Sequence, residues 1–304
     1  EQIFSWLQSG VTSFDQMTNI SLANRNKIAE RCVVGKSLPE NVMVSADGTK
    51  KYLFRVQDKF VEAVYIPEKD RATLCVSSQV GCKMNCLFCM TGKQGFGCNL
   101  TSGEILNQMQ AIPEFDKLTN VVFMGMGEPM DNVKNVLAAL EIMTSDYGYA
   151  WSPKRVTVST VGIVPGMREF LQKSSCHLAV SLHNPFPDER LAMMPIEKAY
   201  PIVDVLSEIK EYDFTGQRRV SFEYTMFKGK NDTPRHAAEL KRLLDGLECR
   251  MNLIRFHAIP DVPLEGSSDG EIEKFQSELS KRGLLATIRK SRGEDIFAAC
   301  GLLS

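Results

Sequence analysis

The sequence predicts an α/β fold: a parallel sheet of six or so strand–loop–helix units, curled into a full or partial barrel behind a small N-terminal accessory domain. Three observations carry this. From about residue 70, short β-branched runs alternate with amphipathic stretches of helical period, a pattern that favours parallel strands with right-handed crossovers. The first 68 residues lack that alternation, so the expected organisation is an accessory domain over 1–68 and the barrel over 69–304. The chain has 304 residues, 43% hydrophobic and 24% charged, ordinary folded-protein values that suit one large domain or two modest ones.

Taken in order, Ile3–Leu7 and Phe14–Met17 read as short helical pieces. Asp47-Gly48 is a turn signal between Asn41–Val44 and Lys51–Val56, so a hairpin is expected there. Val61–Ile66 continues with strand-like alternation. Seven strands follow: Thr73–Ser78, Asn120–Met124, Arg155–Thr160, His177–Leu182, Val220–Phe227, Met251–Phe256 and Leu285–Lys290. Between them, residues 101–111 open with the capping-box spacing of Thr101 and Glu104. Residues 201–212 place Ile202, Val205, Leu206 and Ile209 on one face. Residues 234–247 start with an N-cap threonine and a proline at N1, and turn Leu240, Leu243, Leu244 and Leu247 inward. Residues 271–282 stop at Gly283.

Composition excludes several classes. No apolar stretch approaches the ~20 residues of a membrane span, and the start lacks the charged and apolar regions of a signal peptide. There is no repeat at solenoid period and no low-complexity tract. The net charge of −1 means that any nucleic-acid surface must be local. Nine cysteines, an odd count without an export signal, argue for reduced, working thiols in the cytoplasm rather than a disulfide framework.

Three of those cysteines form the sharpest motif, Cys82-x-x-x-Cys86-x-x-Cys89. Three thiolates on one loop can grip a single metal centre. Structural zinc normally takes four protein ligands, whereas three cysteines suit a [4Fe–4S] cluster with one iron left open for S-adenosylmethionine. The aromatic Phe88 before the last cysteine completes the radical-SAM signature. The alternative is a zinc site completed by Cys98 or a histidine. Polar groups recur at the expected C-terminal ends of the later strands, where sites form on such folds. They are Met124-Gly125-Met126-Gly127-Glu128-Pro129, Ser159-Thr160, Ser181-Leu182-His183-Asn184 and Asn252. The glycines allow close approach of backbone to a ligand, and Glu128 can accept from its ammonium group.

With these stand Arg71–Gly81 ahead of the cluster loop, Gly92-Lys93-Gln94-Gly95-Phe96, Met251-Asn252-Leu253-Ile254 and Ala298-Ala299-Cys300-Gly301. In this order the motifs resemble the RlmN/Cfr family of radical-SAM RNA adenosine methyltransferases, and Gly-Glu-Pro at 127–129 resembles its RlmN branch. The resemblance implies a partial (β/α)6 radical-SAM barrel that methylates adenine C2 in 23S rRNA and in the tRNA anticodon loop. It implies Cys82, Cys86 and Cys89 as cluster ligands. Gly127, Glu128, Ser159, Ser181, Leu182, His183 and Asn252 would contact S-adenosylmethionine, used twice per turnover. Cys300 would carry the methyl group, Cys75 would resolve the covalent RNA adduct through a transient disulfide, and Glu62 would accept a proton. A one-electron reductant is required, and a monomer is expected. Relative to the family, a longer N-terminal helical region and a basic C-terminal extension are expected outside residues 1–304. Cys32, Cys98, Cys176 and Cys249 are read as inert. Candidate phosphate contacts are Lys154-Arg155, Arg218-Arg219, Lys228, Lys230 and Arg289-Lys290-Ser291-Arg292. The competing readings are another radical-SAM enzyme without the extra thiols, and a zinc-binding RNA adaptor.

Overall fold

A computed structural model describes residues 2–214 and 219–304. The chain opens with helices α1 (Gln2–Gln8) and α2 (Leu22–Ala29), then three antiparallel strands, β1 (Asn41–Val44), β2 (Lys50–Val56) and β3 (Lys59–Pro67). β3 runs antiparallel to β4 (Ala72–Cys75), so the expected boundary at residue 68 falls in a turn within one continuous sheet. After β4 the chain makes a small two-stranded sheet from β5 (Gln79–Gly81) and β6 (Phe96–Asn99), with the short helix α3 (Met90–Lys93) between them. The cluster loop therefore hangs from this hairpin. The expected strand 73–78 ends at Cys75, because Val76 to Gln79 turn to pair with the glycine loop at 125–127.

The rest alternates as expected: α4 (Ser102–Gln110), β7 (Asn120–Phe123), α5 (Val133–Thr144), β8 (Val156–Thr160), α6 (Val164–Lys173) and β9 (His177–Ser181). There follow α7 (Pro187–Met193), α8 (Ile202–Lys210), β10 (Val220–Met226), α9 (Pro234–Leu243), β11 (Cys249–Arg255), α10 (Asp269–Lys281) and β12 (Ala286–Ile288). The sheet order is β1-β2-β3-β4-β7-β8-β9-β10-β11-β12, ten strands among the described residues. All pairs from β4 to β12 are parallel. Six helical crossovers thus link seven parallel strands, and no pairing of β1 with β12 closes the sheet among the described residues: a partial barrel.

Local chemistry matches the elements. Thr101 and Glu104 make the capping box of α4. Ile202, Val205, Leu206 and Ile209 are all buried, and Gly283 takes the left-handed conformation after α10. Thr233 caps α9 by position only; its hydroxyl bonds His236 instead. No helix among the described residues is long and apolar enough to cross a membrane.

Candidate active site

The C-terminal ends of the parallel strands meet around a cavity of about 150 Å³. Cys89, Gly127, Glu128, Ser159, Ser181, His183 and Cys300 all line it, seven expected residues drawn from five separate stretches of chain. Leu182 and Asn252 lie behind the wall. Leu182 donates its N–H to the Glu223 carbonyl, 3.0 Å away. Asn252 donates to the Glu223 carboxylate at 2.7 Å and accepts from Thr287 at 2.8 Å. The register explains this grouping: Ser181, Glu223, Asn252 and Thr287 are direct neighbours across β9, β10, β11 and β12.

The two glycines serve the chain before any ligand. A Cβ on Gly125 would lie 2.8 Å from the Val76 carbonyl oxygen, and one on Gly127, which has φ 96°, would lie 2.5 Å from Gln79 Cβ. Their loop is docked on the Val76–Gln79 segment through Ser78 N–H to Met126 O and Glu128 N–H to Gln79 Oε1, both 2.8 Å. Glu128 is buried, and burial raises its carboxyl to about 7 despite bonds from Thr160 Oγ1, Val161 N and Met130 N that lower it. Burial, helped by the Arg190 charge, lowers His183 to about 3. The ring is neutral at physiological pH. Its Nδ1 accepts from Thr225 N–H at 2.9 Å, so Nε2 carries the proton and is free to donate. His183 holds φ 53°, kept there by that bond, by its carbonyl accepting from Asn231 at 2.7 Å, and by edge contact with Phe88 at 4.8 Å.

The cluster loop supplies three thiols to one region. Cys82 is pushed up to about 12, by burial first and then by Glu128 and Cys89. Cys86 is raised well above its ordinary value by burial, with Cys89 and Cys82 adding to it. Among the described residues no three His, Cys, Asp or Glu side chains converge tightly enough to hold a single ion. A four-iron cluster binds its cysteines through different irons, and so spreads its ligands. Cys98 stands among Glu104, Lys59 and Asp58 rather than among the three thiols. The donor set, three soft thiols beside a polar cavity, fits the cluster.

Cys300 lies on a loop held from two sides, by α3 and by the β1–β2 hairpin. Met90 N–H bonds the Gly301 carbonyl at 2.8 Å, and Thr91 Oγ1 bonds Leu303 O at 2.7 Å. From the other side, Asp295 accepts from Ser45 Oγ at 2.6 Å and Ala46 N–H at 3.1 Å, while Asp47 accepts from Gly293 N–H at 3.1 Å. The β1–β2 hairpin is thus the clamp of the Cys300 loop. Cys300 keeps open surface toward the cavity although protein rings it. Burial raises its thiol, while Arg289 pulls it back. Cys75, buried at the end of β4, is pushed up to about 12 by burial and by its proximity to Cys300. Both are free thiols.

The structure does not bring Glu62 to the cavity. Its buried carboxylate pairs with Lys51 at 2.8 Å and accepts from Ser304 N–H at 3.0 Å; Lys51 also donates to Phe297 O at 3.3 Å. Two residues of the site were not read from the sequence. Glu223 lines the cavity and ion-pairs with Arg289 at 3.3 Å. Arg190, fully buried, donates to Leu182 O, Val161 O and Ser181 O and pairs with Glu197, tying the ends of β8 and β9 together. The available signal for Glu223 was that it is the lone charged residue of β10, a weak cue until register places it. Of the candidate phosphate contacts, Arg155 is committed to Leu118 O, Thr119 O and the Trp151 ring, Lys228 pairs with Glu265, and Arg218 lies outside the described residues.

A partial parallel barrel carrying a three-cysteine loop beside a polar cavity at its strand ends defines the radical SAM class. The radical SAM superfamily model matches residues 76–240, and this class uses a [4Fe–4S] cluster and S-adenosylmethionine. A model of the ribosomal RNA large subunit methyltransferase N-terminal domain matches residues 1–34. The chain is 59% identical to a probable dual-specificity RNA methyltransferase RlmN of Bacteroides fragilis strain YCH46, across 100% of this chain and 89% of that one. It is 44% identical to the dual-specificity RNA methyltransferase RlmN of Syntrophus aciditrophicus, with the same coverage. A crystal structure of a radical SAM methyltransferase from Sphaerobacter thermophilus superposes with a TM-score of 0.92 at 39% identity, covering 99% of this chain and 91% of that one. Streptococcus suis SuiB, at TM-score 0.55 and 12% identity, shares the fold alone. The chain belongs to the RlmN family of dual-specificity RNA methyltransferases.

Proposed function

We propose that this radical SAM RNA methyltransferase methylates C2 of adenosine in 23S rRNA and in the tRNA anticodon loop, through a methyl group carried on Cys300. Adenine C2 is an electron-poor carbon and a poor nucleophile toward a sulfonium methyl group, so a carrier thiol is needed. Cys300, as thiolate, takes the methyl by displacement and releases S-adenosylhomocysteine. Cys82, Cys86 and Cys89 hold the cluster, which with a second S-adenosylmethionine supplies a 5′-deoxyadenosyl radical able to remove hydrogen from that methyl. Gly127, Glu128, Ser159, Ser181 and His183 orient the nucleoside sulfonium, while Leu182 and Asn252 support them from behind the wall. Once the methyl carbon is bonded to C2, the adduct gives up one electron and its C2 proton, the proton going to Glu62 or to a deprotonated Cys75. The thiolate of Cys75 then attacks the sulfur of Cys300; the carbon–sulfur bond breaks with its electron pair on carbon, that carbon takes up a proton to complete the methyl group, and a disulfide forms.

Burial holds the Cys75 thiol at about 12, so it must lose its proton before it can attack. Glu62 holds the C-terminal segment through Ser304 N–H and is, with Cys75, one of the two candidates for taking the C2 proton. The chain acts as a cytoplasmic monomer and draws its electron from a one-electron reductant. The observation that carries the reading is the proximity of Cys75 to Cys300, with Cys300 lining the same cavity as Cys89. Mass spectrometry of the Cys300 peptide tests it. Active, cluster-loaded enzyme should carry a thioether methyl there and yield 2-methyladenosine; an unmodified Cys300 in active enzyme overturns the mechanism.

A further inference from the structure

Cys300 and Ile254 are shared between the cofactor cavity and a second cavity of about 340 Å³. A thiol that receives a methyl from one molecule and delivers it to another needs two approaches, and these are the two spaces that meet at it. The lining of the second cavity differs in character from the first. It holds Arg71, Arg289, Lys290 and Arg292, with His257, against the single acid Glu68.

The charges that face these cations decide what the cavity can take. Glu223 neutralises Arg289 at 3.3 Å. His257 is kept neutral by burial, which outweighs Glu294 at 3.8 Å, and its Nε2 is occupied by Ser291 Oγ at 2.9 Å. Asp47 stands 3.8 Å from Arg292, well beyond the 2.7–2.9 Å of a charge-assisted hydrogen bond, and already accepts from the Thr49 and Gly293 backbones. Arg292 Nε is buried with no hydrogen-bond partner. Lys290 is exposed, and among the described residues neither it nor Arg71 makes an ion pair. Three cations with unfilled donors therefore surround a space beside the reacting thiol. A buried, unpaired guanidinium nitrogen is costly unless an acceptor completes it.

We propose that this cavity seats a backbone phosphate of the substrate RNA next to the target adenosine, with Arg292, Lys290 and Arg71 as its ligands, so that the base reaches Cys300 from the side opposite its methyl supply. The inference rests on Cys300 being the delivery atom, but the phosphate site is measured without that chemistry. The base must leave its stack to be modified, and a fixed phosphate beside it holds the strand in that geometry.

The test is fluorescence anisotropy of a labelled anticodon stem-loop RNA titrated with the cluster-loaded protein, S-adenosylmethionine withheld, at several salt concentrations. Lys290→Gln, at an exposed residue without an ion pair among the described residues, should weaken binding several-fold and lower the slope of log K against log salt by roughly 0.7–0.9. A triple variant with Arg71→Gln and Arg292→Gln should weaken binding at least tenfold while lowering the slope by no more than about 0.9, the counterion release of one phosphate. Lys173→Gln, a remote cation paired to Glu169, should leave binding and slope unchanged. Wild-type affinity and slope in both cavity variants would overturn the phosphate site. An unmethylated Cys300 in active wild-type enzyme would instead overturn the carrier reading and leave the binding result standing.

Discussion

Replacing Lys51 with methionine should destabilise the protein by about 3–5 kcal/mol, the cost of leaving one member of a buried ion pair behind. The structure sets the terms. The Lys51 and Glu62 side chains are 9% and 7% exposed and meet at 2.8 Å. Without the ammonium group, one Glu62 oxygen keeps Ser304 N–H at 3.0 Å and the other loses its partner in a place water barely reaches. The Phe297 carbonyl loses its donor as well. If uncompensated charge is the cause, removing both charges should repair most of the loss. Lys51→Met with Glu62→Leu, apolar side chains of comparable volume, should return to within about 1 kcal/mol of wild type. Urea denaturation of the cofactor-free chains, followed by far-UV circular dichroism, measures both values. A loss below about 1 kcal/mol in Lys51→Met, or a double variant no better than the single one, refutes the argument. The pair matters to catalysis because Phe297 and Ser304 flank Cys300. The double variant, correctly folded, also tests Glu62 as the proton acceptor: retained 2-methyladenosine formation leaves that role to Cys75, and loss of product with normal Cys300 methylation gives it to Glu62.

Arg190→Met should cost about 3–5 kcal/mol, because Glu197 is left buried without its cation, and should abolish S-adenosylmethionine binding measured by calorimetry, because the carbonyls it gathers at Val161, Ser181 and Leu182 belong to the cavity rim. Gly127→Ala should lose about 1–3 kcal/mol in a thermal melt, since its φ of 96° and the 2.5 Å approach to Gln79 leave no room for a methyl; an unchanged melt would show that the loop rearranges freely. Glu128 governs a pH effect. Its folded pKa of about 7 lies above the ordinary 4.5, so its contribution to stability is fully present below 4.5 and is lost as pH rises through 7. The change amounts to about 3 kcal/mol. Urea midpoints of the cofactor-free protein from pH 5 to 8 should fall relative to those of Glu128→Gln, and parallel curves would count against a protonated Glu128.

Much of the barrel was legible because its signals are local. Alternating β-branched runs and 3.6-residue periodicity place Val205 and Leu206 inward whatever lies opposite them, and each expected barrel strand overlaps an observed one. The site was legible where its residues are adjacent in sequence, as in Cys82 to Cys89, or where a long motif carries them. The partners of these residues were not legible. Arg190 reads as a surface arginine in a helix beginning Pro187-Asp188-Glu189, and only the packing of α7 under the ends of β8 and β9 buries it. Glu223 is recognisable as a site residue only once register sets it between Ser181 and Asn252. Glu62 shows the converse case: the motif picks out the residue, but not its contacts with Lys51 and Ser304. Pairings over long sequence separation carry no local periodicity, so no window of sequence contains them.

The same reasoning explains why an N-terminal hairpin belongs to a chain whose proposed carrier thiol, Cys300, lies twelve residues beyond Ile288, the end of β12. A loop running from Ser291 to Ser304 with only short 3₁₀ structure has little hydrogen bonding of its own. Left free, it would sample many positions for Cys300, and the ordering entropy would be charged to every turnover. Asp47, Asp295, Lys51 and Glu62 remove that freedom from one side and the backbone bonds of Met90 and Thr91 remove it from the other. Asp295 is held below the ordinary carboxylate range by Ser45 and Ala46 across the clamp, and Asp47 at about 2 by Thr49 of its own turn and then by Gly293 of the loop, so the grip persists through the whole neutral range. The clamp is built from side chains of β1–β3 and their turn, which is the physical reason these strands are continuous with the barrel sheet: a hairpin tethered as a separate body could not hold a thiol in register with strands β4 to β12.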